Sequence, residues 1–239
     1  MSEKLNLLDI RPEQFRTGVF NPAGAILTWL KNEDAYWEYK GEPSPDKPHA
    51  KLSSGLCSNG FIDMPSILQY PYIAEILGME LVKLLKLRYG IETDVVVSSP
   101  YSALTLGYEV AKELGAVFRH PIKDPSDPEQ KRMLWRGRTL PEGSRVLQVE
   151  ELITTASTVW EVRSAVQEAH RGIRLYWSGV VGTLVHRPSH VPIVYPEMAV
   201  IALLEKEMQN YPEGTPCPYC EVGSEKLRPR DNWAELIGA

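Results

Sequence analysis

The feature that most constrains the fold is an alternation of short apolar runs with stretches whose apolar residues recur at helical spacing. The runs predict strands, because β-branched residues suit a sheet buried on both faces: they are DVVVSS, RVLQV, IRLYWSGVVGTLV and EMAVIALLEK. The intervening stretches predict helices: they are residues 66–89, ALTLGYEVAKELG with Leu104, Gly107, Tyr108, Ala111 and Leu114 on one face, and a helix marked by Val159, Val162, Ala165, Val166 and Ala169. This order predicts an α/β fold with βαβ units and a mainly parallel sheet.

Length and charge narrow the class of protein. The 239 residues, 43% of them hydrophobic, are enough for one globular domain with a sizeable core. The net charge of −5 argues against a long nucleic acid as partner. We see no signal peptide and no apolar run long enough for a membrane span. The three cysteines do not make a disulfide framework, and we therefore expect a reducing cytoplasm.

The remaining segments are less regular. A helix is expected over Pro22–Asn32, followed by a proline-rich loop, GEPSPDKPHA. KLSSGLCSNGFIDM predicts two short strands joined by a turn. Residues 119–138 contain three prolines and are rich in lysine and arginine, which indicates a functional or a disordered loop. The tail after Met208 is expected to be loop-like.

Residues 149–158, VEELITTAST, put two acids and four hydroxyls between a strand and a helix. Ligands of open α/β sheets bind at the carboxyl ends of strands. The free amides and the dipole of a helix N-terminus favour a phosphate, and the carboxylates of Glu150 and Glu151 suit sugar hydroxyls. The stretch therefore predicts a site for a sugar 5-phosphate. The alternative is an ordinary helix cap, since serine and threonine are common there.

Several stretches together resemble a known family. RVLQVEELITTASTV resembles the phosphoribosyl pyrophosphate (PRPP) motif of type I phosphoribosyltransferases. Five further stretches resemble segments of the longer orotate phosphoribosyltransferases and come in the same order. They are HAKLSSGLCSNGFIDM, DVVVSSPYSALTLGYEVAKELGA, KRMLWRGRTLPEGSRVL, GTLVHRP and PCPYCEVGSEKLRP. The resemblance implies the type I phosphoribosyltransferase fold, a mainly parallel central sheet flanked by helices with a small N-terminal hood. It also implies an N-terminal hood and base-binding segment (1–65), a PRPP-binding core (66–205) and a CPYC-containing tail (206–239).

The resemblance implies transfer of the 5-phosphoribosyl group from PRPP to orotate in pyrimidine synthesis, giving orotidine 5-phosphate and pyrophosphate. It further implies a homodimer and Mg²⁺ that bridges PRPP oxygens. The implied contribution of the protein is positioning and charge stabilisation rather than a covalent nucleophile. The implied catalytic residues are Glu150, Glu151, Lys123 and Lys131. The implied PRPP-binding residues are Glu150, Glu151, Thr154, Thr155, Ala156, Ser157, Thr158, Tyr101, Ser102 and Arg132.

The same resemblance assigns the base pocket. Arg187 matches an arginine that binds the orotate carboxylate, for which a bidentate guanidinium is well suited. Ser54 and Phe61 match the wall of that pocket, although Phe61 suits core packing equally well. The basic segment 119–138 corresponds to a hood over the leaving pyrophosphate, with Arg136 as a further candidate cation and Trp135 as a possible shield.

The chain departs from the family pattern at ligand-facing positions. Glu151 replaces an aspartate, Ala156-Ser157 replace a glycine pair, and the pyrophosphate loop is Ser99-Pro100-Tyr101-Ser102-Ala103 without glycine. Cys57 and His186 replace a histidine and an aspartate. Two hypotheses fit: an orotate enzyme with a remodelled site, or a divergent paralogue that uses another base or regulates by binding PRPP or a nucleotide with little turnover.

Cys217 and Cys220, in CPYC, are half of a zinc pattern. His186 and His190 are the nearest candidates in sequence for further ligands. A structural role without metal, a zinc site and a redox pair all remain open. His49, His120 and His170 are expected at the surface.

Overall fold

The computed structural model of the protein describes residues 5–17, 20–52, 55–127, 132–188 and 198–238. After a short 3₁₀ turn (Leu7–Asp9), the helices are α1 Glu13–Arg16, α2 Pro22–Asn32, α3 Pro65–Leu68, α4 Pro71–Tyr89, α5 Leu104–Leu114, α6 Ser157–Ala169, α7 Pro218–Glu221 and α8 Trp233–Ile237. The strands are β1 Tyr36–Glu38, β2 His49–Lys51, β3 Cys57–Ser58, β4 Gly60–Ile62, β5 Val95–Ser98, β6 Val117–Arg119, β7 Ile122–Lys123, β8 Met133–Leu134, β9 Arg145–Ile153, β10 Tyr176–His186, β11 Ala199–Glu205, β12 Asn210–Tyr211 and β13 Lys226–Leu227.

The central sheet has five strands in the order β11-β10-β9-β5-β6, and every neighbouring pair is parallel. The predicted α/β class with a parallel sheet is therefore confirmed. Strand β5 shows why its sequence is continuously apolar: Val96 packs on one face with Leu147, while Val95 and Val97 pack on the other with Val162. Alternate side chains of a strand point to opposite faces, and both faces are covered here.

The predicted helix over residues 66–89 is two helices, α3 and α4. Proline has no amide hydrogen and restricts the residue before it to extended backbone. Tyr70 accordingly has φ −89° and ψ 110°, and Pro71 starts the second helix. Helix α4 then ends at Gly90, whose φ of 57° places it in the left-handed region.

The buried face of α5 overlaps the predicted one only in part: Gly107 and Ala111 are buried as predicted. Leu106 and Val110 are fully buried, whereas Tyr108 is 59% exposed. Helix α5 packs closely against α4, where Gly78 lies against Glu109. Helix α5 contacts both the central sheet and α4, and its buried residues are therefore shifted by one or two positions from part of the predicted face.

Two segments expected to be loops contain short strands and helices. The basic segment begins in β6 and continues into an antiparallel β7–β8 hairpin. The tail supplies β12, α7, β13 and α8. Its strands join hood strands in a second sheet of order β12-β3-β2-β13, and β4 pairs with β1. We missed these elements because strands of two or three residues carry no periodicity.

Among the helices described, none combines the length and apolar character required to cross a membrane.

Candidate active site

The carboxyl ends of three neighbouring parallel strands bring the predicted site residues to one edge of the sheet. The 99–102 loop follows β5, and Glu150 and Glu151 lie in the last part of β9. Arg187 follows β10 and donates its backbone amide to the Ile153 carbonyl at 2.8 Å. The edge is therefore built from segments more than 80 residues apart, joined by parallel register.

Glu150 is buried and held at both carboxyl oxygens. Gln148 Nε2 donates to its Oε1 at 2.9 Å, and Ser99 Oγ lies 2.5 Å from its Oε2. Arg163 Nε donates in turn to Gln148 Oε1 at 3.2 Å. Burial, followed by the nearby charge of Glu151, raises the pKa of Glu150 from 4.5 to about 8. The hydrogen bonds from Ser99 and Gln148 oppose this shift and tie the strand end to the 99–102 loop.

Glu151 is only half-buried and is the more accessible acid of the pair. Burial raises its pKa. A hydrogen bond from Ser102 and the positive charge of Arg230, in the tail, oppose that shift. Glu151 is therefore influenced by a hydroxyl of the 99–102 loop and by the charge of a tail arginine.

The turn from β9 into α6 has the shape of an anion cradle. Helix α6 begins at Ser157 and has no side-chain hydrogen bond at its N-cap. Ser157 and Thr158 are exposed, and Thr154 and Thr155 are half-buried. The hydroxyls of Thr155 and Ser157 lie 3.2 Å apart. These groups surround the positive end of a 13-residue helix.

Two residues at this edge have left-handed backbone without being glycine. Ala156 has φ 54° and Tyr101 has φ 72°. Left-handed backbone costs an alanine about 1–2 kcal/mol, and such residues cluster at functional sites. Both lie at or beside the positions where the family pattern has glycine. The Ala156 methyl packs inward against Ile153 and Val159, whereas the Tyr101 side chain is 70% exposed.

Arg187 is a buried cation, only 2% exposed. Its Nη2 donates to Ser58 Oγ at 3.2 Å and to the Gly60 carbonyl at 3.1 Å, whereas its Nε has no hydrogen-bond partner among the described residues. Burial lowers the pKa of Arg187 to about 10, so it remains charged at neutral pH. Within the described ranges no carboxylate forms an ion pair with it.

Of the other two base-pocket candidates, the structure describes Phe61 but not Ser54. Phe61 is half-buried in β4, and its ring centroid lies 5.8 Å from that of Trp233. Its packing against α8 agrees with the core alternative, and its role at a base stays a prediction. Ser54 lies outside the described residues.

The basic hairpin packs on α6. Met133 is buried with Val162 and Val166, and the Trp135 ring meets His170 edge-on at 5.3 Å. Arg132 is exposed, with its Nε 3.7 Å from Asp124 Oδ2, and Lys123 is half-buried. Lys131 lies outside the described residues.

The cysteines of CPYC meet residues that we did not predict. Cys217, Cys220, Cys57 and His49 place their side-chain donors within 4.8 Å of one another. His49 is fully buried, so its expected surface position was wrong. His170 is buried as well, with Nε2 2.8 Å from the Leu140 amide. His186 ends β10 outside this group, and His190 lies outside the described residues.

A cleft of about 640 Å³ opens elsewhere, between α2, β1 and α8. Tyr36 donates to Glu38 there, and Lys206 forms an ion pair with Glu38. None of the predicted site residues lines this cleft, and the chemistry described above is at the strand ends.

Sequence reasoning missed the side chains that position the site. They are Ser99 and Gln148 around Glu150, Arg230 beside Glu151, and Ser58 beside Arg187. Ser99, Gln148 and Ser58 lay in quoted motifs without a partner assigned to them, and only Arg230 lay outside those motifs. Their roles gave no signal, because a polar residue in a strand or tail does not reveal its partner.

Comparison with known proteins supports the same family. No protein-family model matches the chain. The orotate phosphoribosyltransferase of Caldicellulosiruptor bescii is 32% identical over 199 residues, which cover 83% of this chain and 97% of the relative. That of Thermus thermophilus is 32% identical over 176 residues, covering 73% and 88%.

Solved structures agree on the fold. The crystal structure of the Mycobacterium tuberculosis orotate phosphoribosyltransferase superposes with a TM-score of 0.51 at 18% identity, covering 78% of this chain and 97% of that one. The enzyme from Aeropyrum pernix gives 0.50 at 17% identity, covering 75% and 93%.

Proposed function

Because this chain belongs to the orotate phosphoribosyltransferase family, a family of transferases, we propose that it transfers the 5-phosphoribosyl group from PRPP to orotate. A ring nitrogen of orotate loses its proton to water and forms a bond to the anomeric carbon of PRPP, and the bond from that carbon to pyrophosphate breaks. The products are orotidine 5-phosphate and pyrophosphate, and the reaction would serve pyrimidine synthesis.

The observation that carries this proposal is the buried guanidinium of Arg187. Burying a cation without a counter-ion is costly, and in the part of the chain that the structure describes its Nε has no partner. A planar carboxylate such as that of orotate would supply the missing charge and hydrogen bonds. Arg187 lies at the same sheet edge as the predicted PRPP motif, which suits a base beside the ribose.

For PRPP, we propose that the amides and hydroxyls of residues 154–158 hold the 5-phosphate. The free N-terminus of α6 supports this role. Glu151 is the acid we place on the ribose hydroxyls, since it is half-buried and Glu150 is already bonded at both oxygens. A direct ribose contact by Glu150 stays a prediction, as does PRPP binding by Tyr101 and Ser102.

The leaving pyrophosphate requires positive charge. We propose that the β7–β8 hairpin supplies it through Lys123, Arg132 and the neighbouring Lys131. Arg132 is exposed and only 3.7 Å from Asp124, so it can exchange that partner for a phosphate. Glu151 and the threonine hydroxyls are hard oxygen donors that fit Mg²⁺ bound with PRPP. When bound, Mg²⁺ would neutralise phosphate charge.

We propose a cytoplasmic homodimer. The three cysteines are free thiols, which suits a reducing compartment. The dimer rests on the family resemblance, and light scattering of the purified chain tests it.

The test is to incubate the protein with orotate, PRPP and Mg²⁺ and follow the loss of orotate absorbance together with pyrophosphate release. Both should occur in equal amounts. Arg187→Gln should lower kcat/KM for orotate by at least about 100-fold, since hydrogen bonds to charged groups contribute about 1.5–3 kcal/mol each. The kcat/KM of Arg187→Lys should lie between those of the unmodified protein and Arg187→Gln, because lysine keeps the charge without the bidentate geometry.

Arg88→Gln, at an exposed arginine near the end of α4, is the matched control and should not change the rate. A second readout is the preference for orotate over uracil, which lacks the carboxylate. Arg187→Gln should erase that preference. A preference that survives the substitution removes Arg187 from the base site.

A second candidate is a PRPP- or nucleotide-binding regulator with little turnover. The left-handed Ala156 favours it, because its methyl replaces the hydrogen of a family glycine in the phosphate turn. Tyr101 is left-handed beside Ser102 and Ala103, which replace the glycine pair of the other loop. This alternative would be selected if calorimetry detects PRPP binding and no pyrimidine or purine base causes release of pyrophosphate from PRPP. Release with a base other than orotate would select a divergent paralogue.

A further inference from the structure

We propose that His49, Cys57, Cys217 and Cys220 bind one structural Zn²⁺ that fastens the tail to the hood. His49 begins β2, Cys57 begins β3, and the two other cysteines flank the start of α7. Their donor atoms all lie within 4.8 Å of one another, although the residues are up to 171 positions apart.

The distances match a tetrahedral ion. Zinc binds sulfur at about 2.3 Å and imidazole nitrogen at about 2.0–2.1 Å, so a tetrahedron places two sulfurs about 3.8 Å apart and a sulfur and a nitrogen about 3.5 Å apart. Cys57 Sγ lies 3.7 Å from Cys220 Sγ. His49 Nε2 lies 3.4 Å from Cys220 Sγ and 3.9 Å from Cys217 Sγ.

The second nitrogen of His49 is held in the state that a ligand needs. Ser224 Oγ donates its one proton to the Lys47 carbonyl at 2.6 Å. It must therefore accept from His49 Nδ1, which lies 2.8 Å away. The Nδ1–H donor leaves Nε2 with a free lone pair facing the sulfurs. Metal-binding histidines are oriented by partners of this kind.

The four donor atoms favour a zinc ion over a harder metal ion, and a metal site over a redox-active cysteine pair. Three thiolates and an imidazole in tetrahedral arrangement suit Zn²⁺, whereas Mg²⁺ and Ca²⁺ prefer oxygen. A dithiol redox pair requires access for its substrate, but Cys217 and Cys57 are buried. Such a pair has no use for a third sulfur and an oriented imidazole. With four protein ligands and no open position, the ion would be structural.

The surrounding structure indicates what the ion would stabilise. Strands β2, β3, β12 and β13 have only two or three residues each, and the apolar cluster around Cys57, Cys217 and Tyr219 is small. Small units of this kind commonly depend on a metal. Ser58, beside Cys57, accepts a hydrogen bond from Arg187. The ion would therefore also support one wall of the proposed base site.

The test is metal analysis of the full chain purified without chelators. We expect about one zinc ion per chain. His49→Gln and Cys217→Ser should each lose it, whereas His120→Gln, at an exposed histidine, should keep it. Ser224→Ala should retain the stoichiometry but weaken zinc affinity by about 10–100-fold in competition with a chelating dye.

A second measurement does not depend on variants that fold. Replacement of the ion by Co²⁺ in the unmodified chain should give the intense visible bands of a tetrahedral cobalt site and a sulfur charge-transfer band. Added Zn²⁺ should abolish both. A chain that takes up no zinc, an octahedral cobalt spectrum, or full zinc content in His49→Gln overturns the proposal. None of these readouts involves orotate or PRPP, so the outcome is independent of the proposed activity.

Discussion

At the scale of single residues, the two acids of VEELITTAST have different roles. Glu150 is locked by Gln148 and Ser99, whereas Glu151 lies beside Ser102 and Arg230. Adjacent strand residues point to opposite faces, so one of a pair can be buried while the other reaches the edge.

The raised pKa of Glu150 predicts a pH-dependent stability. The folded chain holds this proton up to about pH 8, while an unfolded glutamic acid loses it near 4.5. The stability from this group is therefore complete below about pH 4.5 and is lost as the pH rises towards 8. Glu150→Gln keeps a neutral hydrogen-bonding group and should remove this loss. Urea unfolding at pH 5, 7 and 9 measures it. Parallel pH profiles for both proteins would mean that Glu150 is ionised throughout.

Ala156 offers a second test at this scale. Ala156→Gly relieves left-handed strain but loses a buried methyl and adds unfolded-chain entropy, so the change should be within about 1 kcal/mol. Ala156→Val should destabilise by at least about 2 kcal/mol, because a β-branched residue does not tolerate positive φ. Denaturant unfolding compares them. Equal stability of Ala156→Val and the unmodified chain would contradict a left-handed residue 156.

At the scale of elements, the close approach of α4 and α5 supports the loop that carries Tyr101 and Ser102. A Cβ added at Gly78 would lie 2.8 Å from Glu109 Cβ and 3.4 Å from the Val110 amide nitrogen. Two helices can approach this closely only where one has no side chain. Helix α5 directly follows the 99–102 loop in the chain. The position of the loop therefore depends on the contact between α5 and α4.

Gly78→Ala should force the two helices apart and destabilise the protein by about 1–3 kcal/mol. Gly179→Ala is the matched control, because a Cβ there meets nothing within 4 Å and φ is not positive. It should change stability by less than about 1 kcal/mol. Thermal unfolding of both variants tests the packing. A similar effect at the two sites would mean that the α4–α5 contact is loose.

At the scale of the whole molecule, the hood and the tail form one sheet although they come from opposite ends of the sequence. The parallel core lies between them in the sequence and carries the candidate site at its strand ends. The proposed zinc ion would add a link between hood and tail beside the strand pairs β12–β3 and β13–β2. Its effect should therefore be local to that sheet.

Chelation of zinc from the full chain should speed amide hydrogen exchange in His49–Lys51, Cys57–Ser58 and residues 210–227. Amides of β9 and β10 should keep their protection, since their hydrogen bonds lie in the central sheet. Exchange followed by mass spectrometry resolves these segments. Unchanged exchange in the hood and tail strands would show that the sheet does not need the ion.

The sequence by itself determined the parallel core and located the turn where we propose that PRPP binds. Both are local patterns: β-branched runs specify strands buried on two faces, and VEELITTAST places acids, hydroxyls and a helix start within ten residues. Shorter elements escaped prediction, as β6 and the β7–β8 hairpin did, because two or three residues show no period.

Only the tertiary structure decided which of these residues meet. The folded chain holds Glu150 by hydrogen bonds, leaves Glu151 accessible and gives Ala156 a positive φ. It also buries Arg187 against Ser58. His49 and Cys57 meet the CPYC cysteines across more than 160 positions. Such contacts depend on the path of the whole chain. Periodicity and motif spacing describe only neighbours in sequence, so they could name Cys217 and Cys220 but could not find the other two donors beside them.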